Sequence, residues 1–314
     1  MVAKIFIDGE AGTTGLQIRD RLAGRRDLEV ISIAPDRRKD IEERKRLLNA
    51  ADIAILCLPD DAAKESVSLI DNDTTRIIDA STAHRVAEGW TYGFAEMDRE
   101  QAQRIASARR VGNPGCWPQG AIATLRPLIE AHLIPSDYPV SVNGISGYSG
   151  GGKAMIADYE TAGANANGFM PYGLTFRHKH LPELQTYARL EMAPLFTPVV
   201  GNFAQGMITM VPLQLMMAPE MPTGAQLHAA LADHYAGIAG GFVEVAPYVE
   251  VERLPELNPE LYNNTNRMRL HVFANDERAQ AVLIAVYDNL GKGASGAAVQ
   301  NLNLMLGVDP RTSL

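Results

Sequence analysis

The sequence predicts an α/β chain with two domains: a doubly wound first domain with a parallel sheet, and an α+β second domain with a mixed or antiparallel sheet. Two observations support this fold class. Short apolar runs alternate with helix-compatible polar runs through the first third of the chain, which is typical of a parallel sheet covered by helices on both faces. After residue 113 this regular alternation stops. The predicted boundaries are residues 1–114 for the first domain and 115–295 for the second.

The first domain contains four predicted strands and three predicted helices. The strand segments are rich in Ile and Val and are bounded by turn residues; they are 3–7, 29–34, 53–58 and 76–79. The helical segments between them are 14–22, 40–49 and 62–70. We expect right-handed crossovers between parallel strands.

The second domain begins with the turn-like run Asn-Pro-Gly-Cys-Trp-Pro at 113–118, followed by a predicted helix at 120–133. A glycine-rich loop at 147–152 follows a predicted strand at 140–145. Further strands are predicted at 206–211, 242–249, 268–274 and 281–287, and further helices at 225–235 and 296–306. The irregular order indicates an α+β arrangement.

The charge balance restricts the possible partners. The 314 residues include 29 Lys and Arg against 37 Asp and Glu, which gives a formal net charge of −8. Long-range repulsion therefore disfavours broad contact with nucleic acid or an anionic membrane. The uncharged stretch 193–219 contains Pro, Asn and Gln, which disfavour a membrane span. We interpret it as buried core or a subunit interface, and expect a homo-oligomer, either a dimer or a tetramer.

The cysteines and the first residues indicate the compartment. Cys57 and Cys116 are too few for a disulfide framework in a chain of this size. The first eight residues resemble a strand and show no basic leader before an apolar stretch, so we expect no signal peptide. The expected location is the cytoplasm.

A G-x-x-G-x-x-G run follows the first predicted strand and precedes a helix. Glycines permit close backbone approach, and the N–H groups of a helix N-terminus bind a pyrophosphate. The run predicts a Rossmann-type dinucleotide-binding domain, although such turns also occur for packing alone. The candidate residues are Gly9, Gly12, Thr13, Thr14 and Gly15.

The residues after the second strand bear on which dinucleotide binds. An acidic residue there favours NAD, whereas arginine accommodates the 2′-phosphate of NADP. Arg37, Arg38 and Lys39 favour NADP, with the two arginines as phosphate ligands. Asp36 leaves NAD open, and a solvated start to a charged helix is the alternative interpretation.

Cys116 lies between two prolines, just ahead of a predicted helix. The helix dipole and unpaired N–H groups stabilise a thiolate at such a position, which makes a cysteine nucleophilic. Burial is the commoner fate of a free cysteine, and we assign it to Cys57, which lies within the apolar run 55–58. The sequence therefore predicts Cys116 as the nucleophile.

Two of the seven histidines, His178 and His180, fall together with Arg177 and Lys179. This cluster suits acid–base chemistry beside an anion. A metal site is the alternative, but only Glu183 lies nearby at a familiar spacing, and we predict none. A solvated basic turn is the other alternative.

Two further loops contain candidate ligand-binding groups. Ser81 and Arg85 follow the fourth strand, at the carboxyl edge of the sheet where ligands bind. Ser149, Gly150 and Lys153 belong to the second glycine-rich loop, whose N–H groups suit a cofactor or a phosphate. Each is equally consistent with an ordinary loop.

Four motifs stand in order along nearly the whole chain: the first glycine run, Asn-Pro-Gly-Cys at 113–116, the second glycine-rich loop, and His-Lys-His-Leu-Pro-Glu at 178–183. Together they resemble the N-acetyl-γ-glutamyl-phosphate reductases of arginine biosynthesis, in their shorter variant. The resemblance implies a glyceraldehyde-phosphate dehydrogenase-like fold. It also implies that NADPH reduces N-acetyl-γ-glutamyl phosphate, an acyl phosphate, to N-acetylglutamate 5-semialdehyde through a cysteine thioester, with release of phosphate.

The resemblance also implies residue roles. Cys116 is the nucleophile and His178 its acid–base partner. The implied substrate contacts are Arg85, Asn113, Lys153, His180 and Glu183. The implied cofactor contacts beyond the glycine loop and the arginines are Pro59, Ser81, Ser149, Gly150 and Asn301. The C-terminal helix, 296–314, would pack back on the first domain. Longer members carry an acidic and an aromatic residue where this chain has Ala83-His84.

Three alternatives remain at this point. Aspartate-semialdehyde dehydrogenase is the nearest, since it shares the thioester chemistry. A dinucleotide-binding redox sensor without turnover explains the glycine loop and a reactive cysteine, but not His178, His180 and Lys153. A Cys-His hydrolase leaves the first domain unexplained.

Overall fold

The computed structural model describes residues 2–314 and divides them into two compact units. The first contains the residues up to Ala95 together with Glu100–Pro114 and Ala294–Leu314. The second contains Glu96–Arg99 and Gly115–Gly293.

The helices and strands are numbered separately in chain order. The strands are β1 (Ala3–Asp8), β2 (Leu28–Ile31), β3 (Ile53–Leu56), β4 (Arg76–Asp79), β5 (Thr91–Tyr92), β6 (Arg110–Gly112), β7 (Ser141–Gly147), β8 (Phe169–Pro171), β9 (Leu195–Gly201), β10 (Met207–Gln214), β11 (Val243–Val245), β12 (Met268–Asn275) and β13 (Gln280–Tyr287). The α-helices are α1 (Thr13–Leu22), α2 (Ile41–Ala50), α3 (Asp60–Leu69), α4 (Gln101–Ser107), α5 (Cys116–Glu130), α6 (Gly152–Ala162), α7 (Leu181–Tyr187), α8 (Gly224–Ala236) and α9 (Gly296–Leu306).

The first unit is built on a parallel sheet with strand order β2-β1-β3-β4-β6-β5. Side chains alternate across each strand. Ile5 and Ile7 therefore join the apolar cluster that includes Leu302 of α9, whereas Phe6 joins the cluster that includes Leu48 of α2. The prediction of a doubly wound parallel sheet is confirmed.

Three elements of this unit were not predicted: β5, α4 and β6. β5 has two residues and β6 has three, so neither is long enough to show an apolar period. Their positions in the sheet depend on tertiary contacts, because β6 pairs with β4 and β5 pairs with β6.

The second unit contains a sheet with strand order β11-β12-β13-β10-β7-β9-β8. The pairs β7–β9 and β11–β12 are parallel and the other pairs are antiparallel. The predicted mixed sheet is confirmed. The uncharged stretch 193–219 supplies β9 and β10. Strand β11 is shorter than predicted, because Pro247 has no N–H to donate to a strand ladder.

Helix α5 begins at Cys116, four residues before its predicted start. Pro118 suggested a later start, but the first N–H groups of a helix need no intrahelical acceptor, so a proline is tolerated in the first turn. Cys116 is consequently the first residue of the helix rather than a residue ahead of it. Nearly every residue of α5 is buried.

The second glycine-rich segment is not the loop that the sequence predicts. Gly147 ends β7, residues Tyr148–Gly151 form a 3₁₀ turn, and α6 starts at Gly152. Glycines are poor helix formers, which is why composition indicated a loop here. Lys153 therefore lies in the first turn of a helix.

A buried ion pair places residues 96–99 in the second unit. Lys292 Nζ lies 2.6 Å from Glu96 Oε2, with both side chains about 1% exposed. The other carboxylate oxygen of Glu96 accepts a bond from the Phe242 N–H. Because a buried charge without its partner costs several kcal/mol, the pair anchors this short segment. No helix within residues 2–314 is long and apolar enough to cross a membrane.

Candidate active site

The first glycine run forms a tight loop between β1 and α1. Gly9 has φ +91°, and a Cβ on it would lie 2.3 Å from the carbonyl oxygen of Cys57. A Cβ on Gly15 would lie 2.5 Å from the carbonyl oxygen of Gly9. Gly12 caps α1, so Thr13, Thr14 and Gly15 supply first-turn N–H groups that have no intrahelical acceptor. This backbone cradle fits a pyrophosphate.

A cavity of about 320 Å³ adjoins the glycine loop within the first unit. Ile33, Ile41 and Leu58 supply apolar walls. The charged residues that line the cavity are Arg38, Lys39, Arg44, Asp8, Glu10 and Glu65. Apolar walls with a few charged groups suit a nucleoside carrying a phosphate.

Arg37 and Arg38 differ in their surroundings, although the sequence predicted the same role for both. Arg38 lines the cavity and lies 3.5 Å from the buried carboxylate of Glu10. Arg37 instead pairs with Asp40 at 2.7 Å and with Glu43 at 3.1 Å. The hydrogen bond to Asp40, followed by the charge of Glu43, raises the pKa of Arg37. Arg37 is therefore already paired with two carboxylates at the start of α2.

Three predicted residues are brought together beside β6. Arg85 is buried, and its Nε donates to the carbonyl oxygen of Asn113 at 2.9 Å. Asn301 Nδ2 donates to Asn113 Oδ1 at 3.0 Å. The other amide atom of Asn301, Oδ1, is buried without a hydrogen-bond partner. An orphaned acceptor of this kind fits a ligand amide, such as the carboxamide of a nicotinamide.

Ser81 lies at the end of β4, where its hydroxyl donates to Asp79 Oδ2 at 2.7 Å. The same carboxylate oxygen contacts His84 Nδ1 at 2.6 Å, and His84 stacks on Trp90. The spacing between Asp79 and His84 matches no characteristic sequence pattern, so this contact could not be predicted. Pro59 is exposed and precedes α3 directly.

The two cysteines have different environments. Burial, followed by the charges of Asp79 and Asp8, raises the pKa of Cys57 to about 12, so this thiol stays protonated. Cys116 is the first residue of α5, at the positive end of a 15-residue helix. The preceding residue, Gly115, donates its N–H to Glu183 Oε2 at 3.0 Å. Glu183 is 2% exposed and thus fixes the backbone directly ahead of Cys116.

His178 and His180 immediately precede α7, with ring centroids 4.7 Å apart. The backbone N–H of His180 donates to His178 Nδ1 at 3.1 Å. A ring nitrogen that accepts a hydrogen bond carries no proton, so the neutral His178 ring carries its proton on Nε2.

Aromatic contacts join His178 to the start of α5. Its ring packs edge-on against Phe196 and Tyr172, at 5.0 Å and 5.7 Å. The Tyr172 hydroxyl accepts a bond from Trp117 Nε1 at 2.9 Å, and Trp117 follows Cys116. Burial, followed by the negative charge of Cys116, raises the pKa of Tyr172. Nothing in the local sequence pattern pointed to Tyr172.

The remaining predicted residues lie on other elements of the second unit. Ser149 is buried, and its hydroxyl oxygen accepts a bond from Asn289 Nδ2 at 3.0 Å. Gly150 and Lys153 are exposed. Within residues 2–314 no group of three or more His, Cys, Asp or Glu side chains is arranged to hold a metal ion.

Two family models match the chain. "Semialdehyde dehydrogenase, NAD binding domain" matches residues 4–105, and "Semialdehyde dehydrogenase, dimerisation domain" matches residues 116–289. The chain is 70% identical over 308 residues to the N-acetyl-gamma-glutamyl-phosphate reductase of Mesorhizobium japonicum, covering 98% of this chain and all of the relative. It is 56% identical over 312 residues to the enzyme of that name from Brucella ovis, with 98% and 100% coverage.

Solved structures resemble the fold at much lower sequence identity. Aspartate semialdehyde dehydrogenase II of Vibrio cholerae aligns with a TM-score of 0.75 at 15% identity, over 98% of this chain and 99% of that chain. The aspartate semialdehyde dehydrogenase of Candida albicans, solved with NADP, aligns with a TM-score of 0.68 at 13% identity and the same coverage.

Proposed function

The chain belongs to the semialdehyde dehydrogenase family, and from this premise we propose that it reduces N-acetyl-γ-glutamyl phosphate to N-acetylglutamate 5-semialdehyde, with release of phosphate, in arginine biosynthesis. The observation that carries the proposal is 70% identity over essentially the full length of a reductase with that name. The Cys116 and His178 environments support the same chemistry.

Cys116 acts as the nucleophile. The thiolate at the N-terminus of α5 attacks the acyl carbon, and the first-turn N–H groups stabilise the oxyanion that forms. Re-formation of the carbonyl breaks the carbon–oxygen bond to phosphate, which leaves a thioester on Cys116. Glu183 holds the backbone of Gly115 and so fixes the position from which the thiolate attacks.

His178 stabilises the second oxyanion. A bound nicotinamide dinucleotide supplies the hydride that reduces the thioester. The resulting thiohemiacetal oxyanion needs a hydrogen-bond donor, and Nε2–H of His178 provides one because the His180 N–H occupies Nδ1. When the carbonyl re-forms, the electron pair of the carbon–sulfur bond returns to Cys116 as thiolate. The aldehyde leaves without a further proton transfer.

The first unit has the features needed to hold the dinucleotide. The cradle of Gly9 and Gly15 leaves no room for a side chain, as close approach to a pyrophosphate requires. Asn301 Oδ1 is an acceptor for the carboxamide. Arg38 and Lys39 favour NADP over NAD because they bring positive charge to the cavity beside the loop.

The protein acts as a homo-oligomer, a dimer or a tetramer, consistent with its match to a dimerisation domain. Neither Cys57 nor Cys116 forms a disulfide, and a thiolate nucleophile works best in a reducing compartment. We therefore place the enzyme in the cytoplasm.

The reverse reaction tests substrate, reaction class and cofactor together. Purified protein is mixed with inorganic phosphate, NADP and N-acetylglutamate 5-semialdehyde, and NADPH formation is followed by absorbance. We expect phosphate-dependent reduction of NADP, with aspartate semialdehyde and NAD as much poorer substitutes. Preference for aspartate semialdehyde would reassign the substrate. Tight NADPH binding without turnover on either aldehyde would favour a redox sensor.

Arg38→Ala should weaken NADPH binding about tenfold or more, because it removes a charged contact to the 2′-phosphate. NADH, which lacks that phosphate, should bind Arg38→Ala and the unchanged protein alike. The measurement is calorimetric titration of each dinucleotide without substrate.

Arg37→Ala is the matched control, since Asp40 and Glu43 already pair with Arg37. It should leave both dinucleotide affinities within about twofold of the unchanged protein. A larger loss of NADPH affinity in Arg37→Ala than in Arg38→Ala would reverse the assignment.

A further inference from the structure

Tyr287, the last residue of β13, places its hydroxyl at the first turn of the nucleophile helix. The side chain is fully buried. The hydroxyl donates to the carbonyl oxygen of Cys116 at 2.7 Å and accepts from the N–H of Gly120 at 3.2 Å. Thr209 Oγ1 lies 3.0 Å away and serves as the third partner. The single donor position and both acceptor positions of the Tyr287 hydroxyl are thus occupied.

Cys116 and Gly120 are four residues apart in α5, the spacing of an intrahelical backbone pair, so a single phenol contacts the carbonyl and the N–H of one such pair. Gly120 leaves the space for it. A Cβ at this position would lie 2.7 Å from the Tyr287 hydroxyl and 2.9 Å from Thr209 Oγ1. Glycine is a poor helix former, and at this position it admits the phenol.

The chain that follows Tyr287 contacts the same helical turn again. A Cβ on Gly293 would lie 2.9 Å from Cβ of Cys116, so the backbone of Gly293 lies directly against the nucleophile. Gln119 Nε2 donates to the carbonyl oxygen of Lys292 at 2.7 Å. The Gly293 N–H donates to the carbonyl of Asp288, which adjoins Tyr287. The segment 287–293 therefore contacts Cys116 at two points: Tyr287 bonds to its carbonyl, and Gly293 packs against its Cβ.

We infer that Tyr287 is a positioning residue for the reaction: its hydroxyl fixes the Cys116 carbonyl, and with it the Sγ direction and the first-turn N–H groups that stabilise the oxyanion. The inference rests on the proposed role of Cys116 as nucleophile. Burial, followed by the charge of Cys116, raises the pKa of Tyr287 far above its ordinary value, so the phenol remains a donor at every working pH.

Tyr287→Phe removes the hydroxyl and keeps the ring in the core. We expect kcat to fall about tenfold, with KM within about twofold, because binding is retained while the attack geometry loosens. A second readout needs neither substrate nor cofactor: the rate of Cys116 alkylation by iodoacetamide against pH, in a Cys57→Ala background. We expect alkylation at pH 7 to be about threefold slower, since the first turn stabilises the thiolate less well.

Tyr235→Phe is the matched control. Tyr235 is also buried, and its hydroxyl donates to a carbonyl of the same helix, that of Ala123, at 2.7 Å. This variant should lose comparable stability in thermal unfolding while keeping kcat and the alkylation profile. Equal losses of kcat in both variants, or an unchanged kcat and alkylation profile in Tyr287→Phe, would overturn the inference.

Thr209→Val keeps the experiment informative if Tyr287→Phe does not fold. It removes one partner of the phenol, and we expect a two- to threefold loss of kcat in the same direction. An unchanged kcat in a folded Thr209→Val protein would count against the inference. If the unchanged protein shows no reductase turnover, the proposed function fails, whereas the alkylation profiles still report whether Tyr287 positions Cys116.

Discussion

Cys116→Ala should lower the phosphate-dependent reductase rate by about 10⁴-fold or more, because no other group can form the thioester. Dinucleotide binding should remain, since the glycine cradle belongs to the first unit. The rate is measured as NADPH formed from the semialdehyde, and binding by calorimetric titration of NADPH.

Cys57→Ala is the control for this variant. Burial keeps the Cys57 thiol protonated, so its removal should leave the rate within about twofold. Retention of more than a few per cent of activity in Cys116→Ala would refute the cysteine mechanism. Loss of activity in Cys57→Ala with an intact fold would show that the nucleophile was assigned to the wrong residue.

His178→Ala should lower kcat by about 10²- to 10³-fold, because it removes the hydrogen-bond donor from the thiohemiacetal oxyanion. KM should change little, since that oxyanion exists only after hydride transfer. His178→Gln should retain more activity than His178→Ala, as a glutamine amide can place an N–H near the position of Nε2.

Cys116 alkylation separates a donor role from a base role for His178. If His178 acts on the oxyanion through Nε2–H, the alkylation rate of Cys116 in His178→Ala should stay within about threefold of the unchanged protein, although turnover collapses. A parallel collapse of alkylation would instead make His178 the partner that ionises the thiol. It would also contradict the proton position inferred from the His180 N–H contact.

The sequence predicts most of the fold because strong local patterns encode it. In the first unit, consecutive apolar residues such as Ile5, Phe6 and Ile7 point to opposite faces, and each face has its own cluster. The short strands β5 and β6 escaped prediction because two or three residues show no period. The start of α5 was placed late because composition alone cannot show that Pro118 falls where a helix tolerates it.

The candidate site also has residues that the sequence could predict and features that only the structure shows. Cys116, His178 and the glycine cradle were selected by residue type and local context, since nucleophiles, proton donors and phosphate loops have characteristic neighbours. The different surroundings of Arg37 and Arg38 could not be predicted, because the two residues are adjacent and have the same side chain. Only the folded chain shows that Asp40 and Glu43 already pair with Arg37.

The sequence by itself determined the order of most strands and helices, the likeness to a reductase family and the prediction of Cys116 as the nucleophile. These depend on residues close together in the chain. Only the tertiary structure decided the contacts around Cys116: Glu183 accepts a bond from the Gly115 N–H, and Tyr287 donates one to the Cys116 carbonyl. It also decided which ring nitrogen of His178 carries the proton. The contacts of Glu183 and Tyr287 join residues 68 and 171 positions apart, and no periodicity reaches so far. The position of the proton on the His178 ring could not be predicted for another reason. It depends on the backbone conformation at His180, whose N–H donates to Nδ1 of His178.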